Sequence, residues 1–165
     1  MIPVKIKLTG GIMPKKATSG AAAFDLYAPN DIMLANGRQV IDLKFSMELP
    51  HGYAATIQPR SGFSAKGMEV DRKLVEDGIC LDIEREVRVD GDVIRGLIDE
   101  DYRGSVGVIV KTTFKSKPYE RHVIKKGTRI AQMQIVEVPQ VELIEVEELS
   151  ETDRGDGGFG HTGTK

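Results

Sequence analysis

The chain has 165 residues and a formal net charge of -2, with 23 basic side chains interspersed among 25 acidic ones. This balance excludes a broad surface that attracts nucleic-acid backbones or anionic lipid, so no direct nucleic-acid binding is expected. A single cysteine, Cys80, excludes an internal disulfide and a multi-cysteine zinc site, and no apolar run reaches the roughly 20 residues needed to span a bilayer. We therefore expect a soluble cytoplasmic protein of one domain, without membrane contact.

Short runs rich in β-branched residues, separated by turn residues, follow one another along the chain and predict an all-β domain. The 18 glycines and 7 prolines suit many short strands joined by tight turns, as in a barrel or a jelly roll. A short helix is expected at 62–66, and a second is considered at 71–76. The predicted strands are 4–8, 39–49, 53–58, 106–111, 122–124, 130–136 and 141–146.

The composition changes at Ser150, after which too few apolar side chains remain to form a packed element. We therefore expect a β-barrel domain over 1–149 and a mobile, glycine-rich C-terminal arm over 150–165. The arm combines Arg154, Phe159 and several glycines, so its amides could approach an anion while the ring covers a flat ligand. This combination suits a lid over a nucleotide, and an inert disordered terminus is the alternative.

Two central segments carry polar side chains suited to phosphate chemistry. Segment 59–66 offers the Arg60 guanidinium, the Ser61 hydroxyl and free amides at a predicted helix start, although a capped turn has the same composition. Segment 96–104 places three carboxylates and Tyr102 at a predicted hairpin tip. A carboxylate there could deprotonate water for attack on phosphorus, and an exposed acidic turn is the alternative.

Polar residues also interrupt two apolar segments. Asp25 is the lone acid of 22–27, and a carboxylate in such a setting needs a basic side chain, backbone amides or a hydrated metal as its partner. In 127–135, Arg129 and Gln132 are the polar exceptions in a predicted buried strand. Each of these segments alone predicts little.

Together and in this order, five segments resemble the five motifs of the trimeric dUTP pyrophosphatase family. They are Ala-Ala-Phe-Asp-Leu (22–26), Pro-Arg-Ser-Gly (59–62), Gly-Leu-Ile-Asp-Glu-Asp-Tyr-Arg-Gly (96–104), Gly-Thr-Arg-Ile-Ala-Gln (127–132) and Arg-Gly-Asp-Gly-Gly-Phe-Gly-His-Thr-Gly (154–163). The resemblance implies a distorted jelly-roll or β-barrel subunit of the dUTPase-like, β-clip type. It also implies a homotrimer with three shared active sites, each closed by a C-terminal arm.

By the same resemblance, the chain would hydrolyse dUTP to dUMP and pyrophosphate with Mg²⁺, keeping uracil out of DNA and supplying dUMP for dTMP synthesis. Asp99 would hold and activate the water that attacks the α-phosphorus. Tyr102 would pack under the deoxyribose and leave no space for a ribose 2′-hydroxyl. Backbone groups around Gly96 and Gly107 would recognise uracil.

The resemblance assigns the α- and β-phosphate oxygens to Ser61, Gly62 and Gln132, with Arg60 close by. Asp25 would anchor waters of a magnesium ion held mainly by the triphosphate. Because magnesium keeps several waters, one protein carboxylate is enough.

The arm would complete the site. Arg154 and Thr162 would reach the γ-phosphate, Phe159 would stack over uracil, and Gly160 belongs to the same substrate-binding segment. His161 stands where the family usually has serine, so one phosphate-directed hydroxyl is replaced by an imidazole that can also donate a hydrogen bond.

The stretch 67–95 is longer than the family pattern. Its second half alternates in part and contains Asp90-Gly91, a dipeptide typical of hairpin turns. We therefore expect an inserted β-hairpin, or a longer one reaching out from the hairpin that carries Asp99. Decoration or trimer packing is the simpler role for this insert, and regulation or partner binding is the alternative.

Two other functions stay open. One is a dCTP deaminase-like or dCTP/dUTP-acting relative, against which the match from Asp99 to Tyr102 argues. The other is a regulatory binding protein on a dUTPase scaffold, although intact Asp99, Arg154 and Phe159 favour retained catalysis.

Overall fold

The computed structural model describes residues 1–76, 79–115 and 117–157, with the side chains of 76–85 excepted. Strands dominate these ranges, and helix is confined to one short segment. The elements are β1 (Lys5–Leu8), β2 (Phe24–Tyr27), β3 (Ile32–Met33), β4 (Gly37–Asp42), β5 (Phe45–Glu48), β6 (Tyr53–Gln58), α1 (Ser61–Lys66), β7 (Met68–Glu76), β8 (Ile79–Ile94), β9 (Gly96–Ile98), β10 (Gly107–Thr113), β11 (Glu120–Ile124) and β12 (Arg129–Glu137). The predicted all-β class is confirmed.

Three antiparallel sheets hold these strands. A two-stranded sheet pairs β1 with β5, a six-stranded sheet has the order β3-β11-β7-β8-β10-β4, and a four-stranded sheet has the order β2-β12-β6-β9. Buried side chains from both larger sheets, such as Leu26 and Met133 on one and Val70 and Val108 on the other, join in a single core. Across the described part of the chain, no helix is long and apolar enough to span a membrane.

Alternation along β10 shows why these residues form a half-buried strand. Val108, Val110 and Thr112 are buried, while their neighbours point outward. The Thr112 hydroxyl donates to the Ala35 carbonyl at 2.7 Å, so its burial leaves no unpaired donor. Each buried valine contributes roughly 1.5–3 kcal/mol.

Two predicted strands differ from the structure. The run 39–49 is divided into β4 and β5 because Lys44, with a φ of 55°, adopts a left-handed conformation that ends the first strand. The segment 141–146 forms no strand, and its apolar side chains are exposed, because nothing in the described part of the single chain pairs with it. The partial alternation of apolar and polar residues in 141–146, which is typical of a strand, therefore has no pairing partner in the described part of the chain.

The helix considered at 71–76 is wrong. These residues continue β7, which pairs with β11 on one side and β8 on the other. Tertiary pairing on both edges outweighs a weak local preference for helix.

The stretch 67–95 contains the antiparallel pair β7–β8, with Met68 opposite Val89. Asp90-Gly91 does not form a turn, because both residues lie inside β8, where Gly91 pairs with Thr112. A Cβ atom on Gly91 would lie 2.9 Å from the Lys111 carbonyl oxygen, so the glycine permits a close approach of two strands. The domain boundary at 149/150 stays a prediction.

Candidate active site

A cleft of about 220 Å³ opens beside the turn between β9 and β10. Gly96, Asp99, Tyr102 and Gly107 all line it, so the structure brings together the four residues predicted for base, sugar and water binding. Its remaining walls are largely apolar. A small, mainly apolar cleft with one carboxylate suits a flat ring whose polar edge contacts backbone groups.

Local hydrogen bonds fix this turn. The Tyr102 amide donates to the Asp99 carbonyl at 3.2 Å, and the Tyr102 hydroxyl donates to the Ser105 carbonyl at 3.0 Å. The Ser105 hydroxyl in turn bonds the Asp42 carboxylate, which ties the turn to the end of β4. This hydrogen bond and one from the Lys44 amide hold the pKa of Asp42 below its usual value.

Gly104 has a steric role in the same turn. A Cβ atom there would collide with the hydroxyl and ring of Tyr102, so the tyrosine lies against the bare glycine backbone. Gly107 is also constrained, since its Cβ would lie 3.0 Å from Cγ1 of Val40. Glycine at 104 therefore fixes where the tyrosine ring lies.

A second cleft, of about 280 Å³, collects residues predicted for phosphate and metal binding. Strand β12 lies between β2 and β6, and Gln132 is opposite Asp25 on one side and Gln58 on the other. Side chains directly opposite each other lie on the same face of a sheet, so register alone groups these three residues. Arg60, Ser61 and Arg129 complete the polar lining.

Asp25 is buried and meets two guanidinium groups. Arg60 Nε lies 3.1 Å from Asp25 Oδ1, and Arg129 Nη1 lies 3.4 Å from Oδ2. A basic side chain, backbone amides or a hydrated metal was expected to pair with this carboxylate, and the structure shows two basic side chains. Each oxygen accepts one N–H and retains a further lone pair, so a contact through water to a metal fits this geometry.

Magnesium at Asp25 would need most of its ligands from elsewhere. Within the described ranges, no group of three histidine, cysteine or acidic side chains could hold a metal ion. The donor set therefore fits a hydrated ion that a substrate holds, and it does not fit an all-protein metal cage.

A third cleft, of about 430 Å³, adjoins the second through Arg60 and Arg129, which line both. Gly62 and Lys66 of α1 and Arg88 of β8 also line it. Arg88 is paired with Glu69 at 3.0 Å. The two adjoining clefts therefore hold four basic side chains and two acidic ones, Asp25 and Glu69.

The structure does not bring every predicted site residue together. Among the described residues, the Asp99 cleft and the Gln132 cleft share no lining residue. Arg154 is exposed, and its Nε donates to the Gly157 carbonyl at 2.8 Å. Phe159, Gly160 and Thr162 lie outside the described residues.

From the sequence, two residues, Arg129 and Gln58, were not assigned to the second cleft. Arg129 was visible as a polar exception in an apolar strand, but its pairing with Asp25 was not. Gln58 carried no signal of its own. Strand register alone places it beside Gln132.

Comparison with known proteins agrees with the motif order. The dUTPase family model matches residues 9–79 and 85–163. A deoxyuridine 5'-triphosphate nucleotidohydrolase of Anaplasma marginale (strain St. Maries) is 39% identical over an alignment of 173 positions, which covers 99% of this chain and 100% of that protein.

Solved structures share the fold. The dUTPase of Staphylococcus bacteriophage 80alpha, solved with dUpNHpp, matches with a TM-score of 0.75 and 24% identity over 98% of this chain and 99% of that one. A mutant dUTPase of S. aureus phage phi11, reported with a structural Mg(II) ion, matches with a TM-score of 0.67 and 20% identity over 88% and 97%.

These likenesses first define the class, an all-β protein with the jelly-roll-like fold of dUTPases. The chain belongs to the dUTPase family, because the family model matches most of its length and a curated relative is 39% identical over nearly all of it. The resemblance inferred from the five motifs is confirmed.

Proposed function

We propose that the chain hydrolyses dUTP to dUMP and pyrophosphate, which keeps uracil out of DNA and supplies dUMP for dTMP synthesis. The observation that carries the proposal is the meeting of Asp99, Tyr102, Gly96 and Gly107 in one small cleft. This arrangement combines a water-activating carboxylate with a surface for a flat base and a sugar. The dUTPase relatives support the same reaction.

The base and sugar are held by the turn between β9 and β10. Uracil contacts backbone groups around Gly96 and Gly107, and Tyr102 packs under the deoxyribose. Because the Tyr102 hydroxyl is bound to Ser105, its ring is held in place before substrate arrives. A ribose 2′-hydroxyl would meet this ring, which selects deoxyribonucleotides.

Asp99 supplies the base for the reaction. Its carboxylate accepts a hydrogen bond from a water molecule, orients it toward the α-phosphorus and removes its proton as the phosphorus–oxygen bond forms. Pyrophosphate leaves with the electron pair of the bond that breaks.

The phosphates lie in the positively charged clefts. The Ser61 hydroxyl, the Gly62 amide and the Gln132 side chain hold α- and β-phosphate oxygens, while Arg60 and Arg129 supply charge. Gln132 Nε2 donates one hydrogen bond to the Pro59 carbonyl at 3.0 Å, which fixes the amide and leaves its second N–H for substrate.

Magnesium bound to the triphosphate would supply charge neutralisation, and Asp25 would hold it through water. Arg154 and Thr162 of the arm contact the γ-phosphate, Phe159 stacks over uracil and Gly160 allows the arm to approach the substrate. Closure of the arm excludes bulk water from the reacting phosphate.

We infer that the active unit is a homotrimer with shared sites. Among the described residues, the Asp99 cleft and the Gln132 cleft share no lining residue, which is compatible with sites that combine surfaces from different copies. Three large apolar side chains close together in sequence are mostly exposed, namely Val141 (76%), Leu143 (94%) and Leu149 (86%). Such a group is unusual on the surface of a single chain. Burying each against another copy would contribute roughly 1.5–3 kcal/mol.

The test is pyrophosphate release from dUTP, dCTP, dTTP and UTP with magnesium, compared between the native chain and Asp99→Asn. The amide keeps the shape of the side chain but is no longer a base. Rapid release from dUTP alone, abolished by the substitution, is expected. Release from none of the four nucleotides would reject the proposal, and faster release from dCTP would favour the dCTP-acting alternative.

A further inference from the structure

The turn that carries Asp99 is clamped from outside through the next residue, Glu100. His51 Nδ1 lies 2.9 Å from Glu100 Oε1, and the Gly52 amide donates to Oε2 at 2.6 Å. Both partners belong to the turn between β5 and β6, nearly fifty positions earlier in the chain. The hydrogen bond from His51 and then the one from Gly52 hold the pKa of Glu100 below its usual value.

The partner turn is itself well anchored. Gly52 has a φ of 80°, a conformation that favours glycine. Its carbonyl accepts a hydrogen bond from the Val138 amide at 2.8 Å, while its amide binds Glu100. Glu100 therefore binds a fixed point of the scaffold.

The turn between β9 and β10, which carries Asp99, is held at one end by the contacts of Glu100 and at the other end by those of Ser105. Ser105 is bound to Asp42 at the far end of the turn, and Glu100 is bound to His51 and Gly52 at the near end. Arg103 Nη1 donates to the Glu100 carbonyl at 2.5 Å, which braces the backbone between these two points. Asp99 directly precedes Glu100 and therefore lies beside the end of the turn that His51 and Gly52 hold.

We propose that Glu100 is a positioning residue for Asp99. Through His51 and Gly52 it fixes the backbone that aims the Asp99 carboxylate into the cleft, and it does not touch substrate. The inference rests on the proposed dUTP hydrolysis. A base must lie within hydrogen-bond reach of the proton it removes, so loosening its backbone slows the chemical step even where binding survives.

Loss of the contact between His51 and Glu100 should affect turnover and folding stability to different extents. The side chains of His51 and Glu100 are 79% and 39% exposed, and exposed pairs of this kind contribute little to folding stability. Small displacements of a catalytic group, in contrast, reduce turnover by about tenfold to a hundredfold. Loss of this contact should therefore affect kcat far more than it affects stability.

The experiment compares Glu100→Ala, Glu100→Gln and His51→Ala in the full chain. Glutamine can accept from the Gly52 amide and donate to the His51 ring, so it preserves both contacts without the charge. Glu100→Ala should lower kcat for dUTP by about tenfold or more with KM within about twofold. Glu100→Gln should stay near the native kcat, and His51→Ala should fall between them.

Asp31→Ala is the matched control. Asp31 also accepts a backbone hydrogen bond from a distant turn, from the Lys126 amide at 2.9 Å, and it lies outside the Asp99 cleft. Its kcat should stay within about twofold of the native value. Affinity for a non-hydrolysable dUTP analogue should be nearly the same in all four variants.

The outcomes separate this inference from the proposed function. If the native chain releases no pyrophosphate, the proposed function fails. If the native chain is active and Asp99→Asn is not, an unchanged kcat in Glu100→Ala overturns the positioning role alone. Equal loss in Glu100→Ala and Glu100→Gln would assign the charge to the chemistry and also overturn it. Should Glu100→Ala not fold, a native kcat in His51→Ala decides against the proposal.

Discussion

Arg60 Nε lies 3.1 Å from Oδ1 of Asp25, which joins the segment after β6 to the middle of β2. The same carboxylate meets Arg129 at the start of β12, so one buried acid orients two cations. Both guanidinium groups line the second and third clefts. In the proposed function, Asp25 would therefore orient two cations toward the triphosphate, in addition to any contact with magnesium.

Asp25→Asn should destabilise the fold and weaken substrate binding. It leaves two guanidinium groups with a neutral partner, which costs about 1–3 kcal/mol. Urea unfolding measures the loss, and the KM for dUTP should rise. Glu48→Gln is the control, since Glu48 forms a 2.7 Å pair with exposed Lys5 and its loss should hardly change stability. Equal destabilisation in both variants would contradict the role given to Asp25.

Gly104→Ala should reduce selection against UTP. The added methyl group collides with the Tyr102 hydroxyl and ring, so the tyrosine must move away from the sugar. The ratio of kcat/KM for dUTP to that for UTP should fall by about tenfold. Gly20→Ala is the control, because a Cβ there meets nothing within 4 Å. A native ratio in Gly104→Ala would show that Tyr102 does not select the sugar.

His122 should make stability depend on pH. Its ring is buried against Phe114, with Nδ1 unpaired, and burial lowers its pKa, while Glu120 opposes that shift. Below its usual value of 6.5, the unfolded chain binds a proton that the folded chain resists, so the free energy of unfolding falls as pH falls.

Urea unfolding at about pH 7.5 and about pH 5.5 checks this prediction. His122→Phe keeps an aromatic ring against Phe114 but cannot titrate. It should lose less stability between the two pH values than the native chain does. An equal loss in both proteins would assign the pH dependence to other groups.

Leu143→Asp should disrupt the proposed homotrimer. Leu143 is 94% exposed in the single chain, and a carboxylate would be costly if this position is buried against another copy. Sedimentation measures the mass, which should fall toward that of one chain. Glu145→Gln, at an exposed neighbouring position, should leave the mass unchanged. A native mass in Leu143→Asp would place this segment outside the subunit interface.

Local patterns in the sequence carried much of the fold and one half of the site. Short runs rich in β-branched residues between turn residues predicted β6, β10 and β12, and the motif from Gly96 to Gly104 placed Asp99 and Tyr102 in one turn. The contacts between distant segments were not predictable in this way. Asp25 meets Arg129, and Glu100 meets His51, only because sheet register and a fixed turn bring them together.

Two sequence signals were misleading for physical reasons. Asp90-Gly91 has the composition of a turn, but Gly91 is needed where β8 closely approaches the Lys111 carbonyl. The alternation at 141–146 predicts a strand, and the described part of one chain offers it no partner. For Gly91, the deciding contact is with a strand that is distant in sequence.

The position of β7 and β8 inside the six-stranded sheet has a practical consequence for protein engineering. Because β11 and β10 pair with their outer edges, deleting the whole segment would split the sheet and leave β11 and β10 each with one unpaired edge. Foreign peptides should therefore be grafted between Glu76 and Ile79, where the strands that flank the insertion can remain intact. A shortened version of this chain that removes Met68 to Ile94 would lose the two central strands of the six-stranded sheet along with the inserted segment between them.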